Sequence, residues 1–151
     1  MPQSLVQIYV HIVYSTKNRQ PFLTDATFRN RVHAYMSGIC KNLDSPSLMT
    51  GGVADHVHLL CRLSKTGAIS DLIRTLKKDT TNWIKVERPT LHEFHWQNGY
   101  GAFSVSPGHL DKLKTYIANQ EEHHKKVTFQ DEFRRLCRIY GVPIDERYVW
   151  D

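Results

Sequence analysis

An α+β domain is what this sequence predicts, on three observations. Stretches with a side-chain period of two alternate with stretches of helical period. The strand-like stretches, around residues 4–16, 48–53, 56–63 and 102–106, are bounded by turn-forming residues. The length, 151 residues with 40% hydrophobic and 23% charged side chains, suits one ordinary globular domain, taken as 1–151, with a core of its own.

Residues 4–16 place Val6, Ile8, Val10, Ile12 and Tyr14 on one face and Tyr9, His11 and Val13 on the other. That is the pattern of a central strand with apolar groups on both sides. The polar loop Lys17-Asn18-Arg19-Gln20-Pro21 closes it. Thr24 or Asp25 can cap a helix running to about Leu43, with Phe28, Val32, Tyr35, Met36, Ile39 and Leu43 at helical spacing. Residues 48–53 read as a second strand, in which Gly51-Gly52 suggests a bulge or tight bend. Asp55 marks the turn into a third strand. A second helix spans about 69–86, with Ile69, Leu72, Ile73, Leu76, Trp83 and Ile84 on one stripe. Arg74, Lys78 and Lys85 lie opposite that stripe, with Lys77 at its edge. The aromatic stretch 87–100 is a loop and 102–106 a fourth strand. Pro107-Gly108 then leads to a helix at about 110–124. A last helix occupies about 129–140 and is stopped by Gly141-Val142-Pro143. The tail, with Tyr148 and Trp150, is expected to dock on the body.

The first six elements run strand, helix, strand, strand, helix, strand, the order of a ferredoxin-like split βαβ arrangement. The expected sheet is antiparallel, with the first and third strands side by side in the middle. Two helices cover one face, and the other is left open for a site or a partner. The helix at 110–124 and one further helix are added at the C-terminal end.

The net charge of +5, the sequence pI of about 9.2 and the nine histidines suit a polyanionic partner, nucleic acid before anionic membrane. Cys40, Cys61 and Cys137 sit in apolar periodic segments without any C-x-x-C pair. They read as small hydrophobes in a reducing, cytoplasmic setting. No apolar run approaches the roughly 20 residues that span a bilayer, and no signal peptide is expected.

The chemistry centres on His56-Val57-His58. A strand puts both imidazoles on one face, leaving Val57, Leu59, Cys61 and Leu63 for the core. Two adjacent imidazoles make half of a metal site; the same pattern also suits a polar, half-exposed strand face. His11 falls near them, with a packed strand histidine as its other reading. In the helix at 110–124, Leu110, Leu113 and Ile117 form the buried stripe, while Tyr116 and Gln120, four apart, share a flank near His123. Tyr116 offers a phenolic nucleophile and Gln120 a carbonyl oxygen able to ligate a metal. A phenol, with pKa about 10, attacks a phosphodiester only once its proton is removed or nearby cations favour phenolate.

As a set, these residues resemble the HUH single-tyrosine transposases, of the small insertion-sequence type and their repetitive-palindrome-associated relatives. Val10-His11 to Leu23 resembles the first strand and basic loop, and Asp55 to Leu60 the histidine strand. Trp96-Gln97-Asn98-Gly99-Tyr100-Gly101-Ala102-Phe103-Ser104-Val105-Ser106 resembles the segment leading to the tyrosine helix. The resemblance implies that His56, His58 and Gln120 bind one divalent metal, Mg²⁺ or Mn²⁺, and that Tyr116 is the nucleophile. It implies cleavage of single-stranded DNA beside hairpins through a 5′-phosphotyrosine, with a free 3′-OH and rejoining without ATP. It also implies a homodimer, with Tyr116 acting in cis or in trans. Arg74, Lys77, Lys78 and Lys85, with Lys17 and Arg19 behind them, are candidate phosphate contacts; the helix cations read equally as a solvated face. Trp96 or Tyr100 can stack an unpaired base or pack in the body. The competing readings are a non-catalytic hairpin-binding module and a metal-dependent phosphodiesterase in which water attacks.

Overall fold

The computed structural model describes residues 2–150. Its elements are β1 (Tyr9–Ser15), α1 (Ala26–Asn42), β2 (Ser47–Gly52), β3 (His56–Arg62), α2 (Ile69–Glu87), β4 (Gly101–Val105), α3 (Leu110–Ala118), α4 (Gln120–His123) and α5 (Phe129–Tyr140). The four strands form one antiparallel sheet in the order β2-β3-β1-β4. This is the ferredoxin-like order expected from the sequence, with the histidine strand and the first strand central.

The two faces of the sheet follow from strand alternation. Val10, Ile12, Tyr14, Val57, Leu59 and Cys61 pack against Phe28, Val32 and Met36 of α1 and Ile73, Leu76 and Ile84 of α2. Ile12, Leu59 and Leu76 are fully buried, each contributing about 1.5–3 kcal/mol of hydrophobic stabilisation. Asp25 starts α1 by accepting from the backbone N–H groups of Thr27 and Phe28.

The other face is not open. Leu60 and Val105 pack against Leu113 and Ile117 of α3. Val13 and Phe103 pack against Phe129, Phe133 and Cys137 of α5. The physical reason is the apolar content of that face: an uncovered sheet with Val13, Leu60, Phe103 and Val105 on it would expose a large hydrophobic patch. The tail is split. Val149 and Trp150 pack onto the α5 cluster, whereas Tyr148 is 71% exposed.

Three boundaries differ from expectation. β1 begins at Tyr9, not near residue 4, because its partners end at Arg62 and Val105; Leu5, Val6 and Ile8 are exposed. The helix expected over 110–124 breaks at Asn119, whose φ of −97° and ψ of 20° separate α3 from α4. The register shift of β2 lies between Ser47 and Met49 and not at the glycine pair, where Gly52 makes a tight bend that a Cβ would block at the His56 carbonyl oxygen. Gly51 serves close approach instead: a Cβ there would lie 2.7 Å from the Ile117 carbonyl oxygen of α3. Among the described residues no helix is long and apolar enough to cross a membrane.

Candidate active site

Ladder pairs hold His58 on both sides, with Val13 and Gly51, and His56 on one, with Ser15. Both imidazoles are fully buried. Each uses Nδ1 for an outer partner. His56 Nδ1 lies 2.7 Å from Asp55 Oδ1, and His58 Nδ1 lies 2.8 Å from His11 Nε2. The Nε2 atoms of both rings are thereby turned toward the inner face of α4 and α5. Metal-binding histidines are oriented in this way, one nitrogen fixed by a hydrogen bond and the other presented.

Glu132, buried on α5, stands where these nitrogens meet. Its Oε1 lies 2.9 Å from His58 Nε2, 3.5 Å from His56 Nε2 and 3.2 Å from His124 Nε2. Its Oε2 accepts from the Tyr116 hydroxyl, and lies 3.2 Å from both Gln120 Nε2 and His123 Nε2. The Gln120 carbonyl oxygen is 3.2 Å from His56 Nε2. The helix break at Asn119 does not separate Tyr116 from Gln120 in space, since both side chains reach the same carboxylate.

Charge in this cluster is strongly coupled. Burial alone would lower His56, but Asp55 and Glu132 outweigh it and raise its pKa to about 9. His58 is lowered, mainly by burial, with Glu132 opposing. Burial alone would raise Glu132, but contacts with His124, His56 and His58 hold its carboxyl far below the usual range. Burial first, and then the charge of Glu132, push the Tyr116 phenol up. Without a bound cation this is a carboxylate facing an imidazolium, beside a phenol that keeps its proton.

The donor set fits a divalent cation. Ligand atoms of His56, His58, His124 and Glu132 all lie within 4.8 Å of one another. His124 Nδ1 is engaged at 2.7 Å by the Val127 carbonyl, while its buried Nε2 has no partner in hydrogen-bond geometry among the described residues. That nitrogen faces Glu132 Oε1 at 3.2 Å, as two ligands of a shared cation would. Imidazoles with one carboxylate suit borderline metals and Mn²⁺ more than an all-oxygen site would.

The family model for IS200-like transposases matches residues 4–120. The chain belongs to this family. A search of curated proteins finds no match. Among solved structures, the chain is similar to a putative transposase from Deinococcus radiodurans R1, with TM-score 0.63, 21% identity, 78% of this chain covered and 93% of the other. It is also similar to a REP-associated tyrosine transposase bound to a REP hairpin, with TM-score 0.60, 13% identity, and coverage of 95% and 93%. At these identities the likeness is one of fold.

In this IS200-like chain, Tyr116, His56, His58 and Gln120 converge within a single copy, and Tyr116 reaches the carboxylate beside its own histidines. The expected phosphate contacts are scattered. Arg19 edges a cleft that also contains His124, Lys125 and Gln130, and Lys17 precedes it in the same loop. Arg74, Lys77, Lys78 and Lys85 belong to α2, on the face of the sheet away from the site. Lys77 Nζ donates to the carbonyls of Gln97 and Gly99, each at 2.7 Å, which makes it a loop anchor. Arg74 is paired with Asp71 at 2.6 Å. Trp96 is buried in the core, and Tyr100 is partly exposed.

Sequence reasoning missed Glu132 and His124. Glu132 had a signal: it falls three residues after Phe129 and four before Leu136, on the apolar stripe of α5. An acid inside such a stripe is buried with a partner or does not belong there. His124 lies just past α4, where no periodicity marks it.

Proposed function

We propose that this chain cleaves and rejoins single-stranded DNA next to hairpins, with Tyr116 as nucleophile and a 5′-phosphotyrosine as intermediate. The observation that carries this reading is the Tyr116 hydroxyl on the carboxylate that also contacts His58. The hairpin in the REP-associated relative and the basic charge of this chain support DNA as the partner.

His56 and His58, with oxygen from Glu132 and Gln120 and nitrogen from His124 beside them, would hold a divalent cation, Mg²⁺ or Mn²⁺. Bound there, it would draw charge from the oxygens of the scissile phosphate. Tyr116 Oη, held by Glu132 Oε2, attacks phosphorus, and its proton passes to His123 Nε2, 3.3 Å away. The bond to the 3′-oxygen breaks, and that oxygen leaves as a 3′-OH after taking a proton from solvent. In rejoining, a 3′-OH attacks the phosphotyrosine and releases its proton to solvent, and the Tyr116 oxygen leaves as the bond to phosphorus breaks, recovering its proton from His123. One ester replaces another at each step, so no ATP is consumed. His123 flanks the phenol, and Gln120 donates to the Glu132 oxygen that holds it.

A homodimer is part of this reading for binding two DNA ends; the side chains of one site all come from one chain. The reaction is placed in the cytoplasm, in keeping with three buried, unpaired thiols.

The test is incubation of a labelled hairpin carrying a single-stranded flank with Mn²⁺, followed by a denaturing gel. A covalent adduct that disappears in Tyr116→Phe is expected. Cleavage without an adduct would make the chain a hydrolase, and binding without cleavage would make it a hairpin-binding module.

A further inference from the structure

A groove of about 680 Å³ opens between α3 and α5 and ends at Tyr116 and His11. We infer that this groove is the channel for the single-stranded segment being cut, with Lys112, Arg135 and Arg138 holding its phosphates. The inference rests on the proposed chemistry at Tyr116 and adds the track by which the strand reaches it.

Charge is the first argument. Lys112, Arg135 and Arg138 line the groove and are exposed. Across the described residues, no ion pair, side-chain hydrogen bond or ring contact engages any of the three. The groove's other cation, Arg134, is already tied to Asp131 at 3.0 Å and Glu146 at 2.8 Å. Its two acids are also committed: Asp131 to Arg134, and Glu132 to the histidine cluster. What remains is a wall of uncompensated positive charge that leads to the nucleophile. On α2, by contrast, Arg74 and Lys77 are spent on internal partners.

Shape is the second argument. Tyr116 is only half-exposed, at the inner end of the groove, so an attacked phosphate must enter between two helices. A flexible single strand can do this, and a rigid duplex cannot. Tyr140 borders the groove, 40% exposed, with one ring face stacked on Phe103 at 4.8 Å. Cationic walls with an aromatic platform are the elements of single-strand binding. The α3 wall, with Lys112 and Tyr116, lies within the residues matched by the family model, and the α5 wall, with Arg135 and Arg138, lies beyond them.

The experiment uses the full chain carrying Tyr116→Phe, which binds without cutting. Its probe is a fluorescein-labelled oligothymidylate of about 20 nucleotides. Fluorescence anisotropy is read at two salt concentrations. Arg135→Glu/Arg138→Glu should weaken binding at least about tenfold and make its salt dependence shallower by about 1.4 in the log–log slope. Lys41→Glu/Lys65→Glu, the same charge change on exposed residues outside the groove, should stay within about twofold. Equal losses in the two pairs, a loss confined to Lys78→Glu/Lys85→Glu, or no binding of the oligonucleotide by the parent would overturn the groove. The adduct assay separates this from the chemistry. An adduct formed at parental rate by Arg135→Glu/Arg138→Glu sinks the groove and leaves Tyr116 as nucleophile. Groove-dependent binding with no adduct from the Tyr116 protein sinks the chemistry and leaves the groove.

Discussion

The Tyr116 hydroxyl donates to Glu132 Oε2, and the two residues are 16 apart on separate helices. The other oxygen of the same carboxylate lies 2.9 Å from His58 Nε2. One side chain thus couples the Tyr116 phenol to the imidazole pair. Glu132→Gln should weaken Mn²⁺ binding by about 10–100-fold and slow adduct formation in parallel. Glu132→Ala should also destabilise the metal-free protein by about 3–5 kcal/mol, because it strands a buried imidazolium. Metal titration followed by electron paramagnetic resonance reads the first effect and urea unfolding the second. Unchanged Mn²⁺ affinity in Glu132→Gln would remove Glu132 from the ligand set.

The arrangement of Tyr116 beside its own histidines predicts the outcome of a mixing experiment. His56→Ala/His58→Ala retains the tyrosine, and Tyr116→Phe retains the histidines. If the site is assembled in cis, mixing the two inactive variants restores no adduct. Restored activity would show that helices are exchanged between copies.

Gly51 sets how closely α3 lies on β2. In Gly51→Ala the new methyl would lie 2.7 Å from the Ile117 carbonyl and 2.9 Å from Ile117 Cγ2. The expected cost is about 1–3 kcal/mol of overpacking. Because Tyr116 precedes Ile117, adduct formation should fall more than Mn²⁺ affinity does. Equal losses in both would point to general unfolding.

His33 gives the fold an acid-side weakness away from the site. Burial, and then the charge of Arg29, lower its pKa to about 4. The folded state keeps it neutral while the unfolded chain takes up a proton near pH 6.5. Its contribution is therefore complete above about pH 6.5 and is lost as pH falls toward 4, up to about 3 kcal/mol. Urea unfolding at neutral and acid pH should show a flatter profile for His33→Leu than for the parent. His56 has the opposite sign. Its pKa is raised to about 9, so its stabilisation of the metal-free protein is held below about pH 6.5 and lost as pH rises through 9.

Lys77 is predicted to matter for stability more than for DNA. Lys77→Met frees the carbonyls of Gln97 and Gly99 and should cost about 1–3 kcal/mol in urea unfolding. The salt dependence of DNA binding should not change. A shallower salt slope would return Lys77 to the DNA interface.

Much of this molecule was legible in its sequence because its signals are local. The alternation around His56 and His58 placed both rings on one face, and the strand and helix order yielded the sheet. Tyr116 and Gln120 were legible through helical spacing and resemblance, even though Asn119 interrupts the helix between them. The covered second face was not legible, since nothing in a strand says which helix will pack on it. Glu132 was hidden for a related reason: its partners His56, His58 and Tyr116 come from β3 and α3, and only tertiary packing brings them together. The role of the α2 cations was not legible, because an amphipathic helix looks the same whether its polar face meets water, loop carbonyls or phosphates.

The way Tyr116 is seated sets a stoichiometry. With Tyr116 as the proposed nucleophile, a site with one phenol beside its histidine cluster would carry a single broken 5′ end at a time. Moving a segment requires two breaks, so one molecule must reseal the first junction before opening the second, or two molecules must each hold one end. Counting covalently bound protein per excised segment distinguishes sequential from paired action.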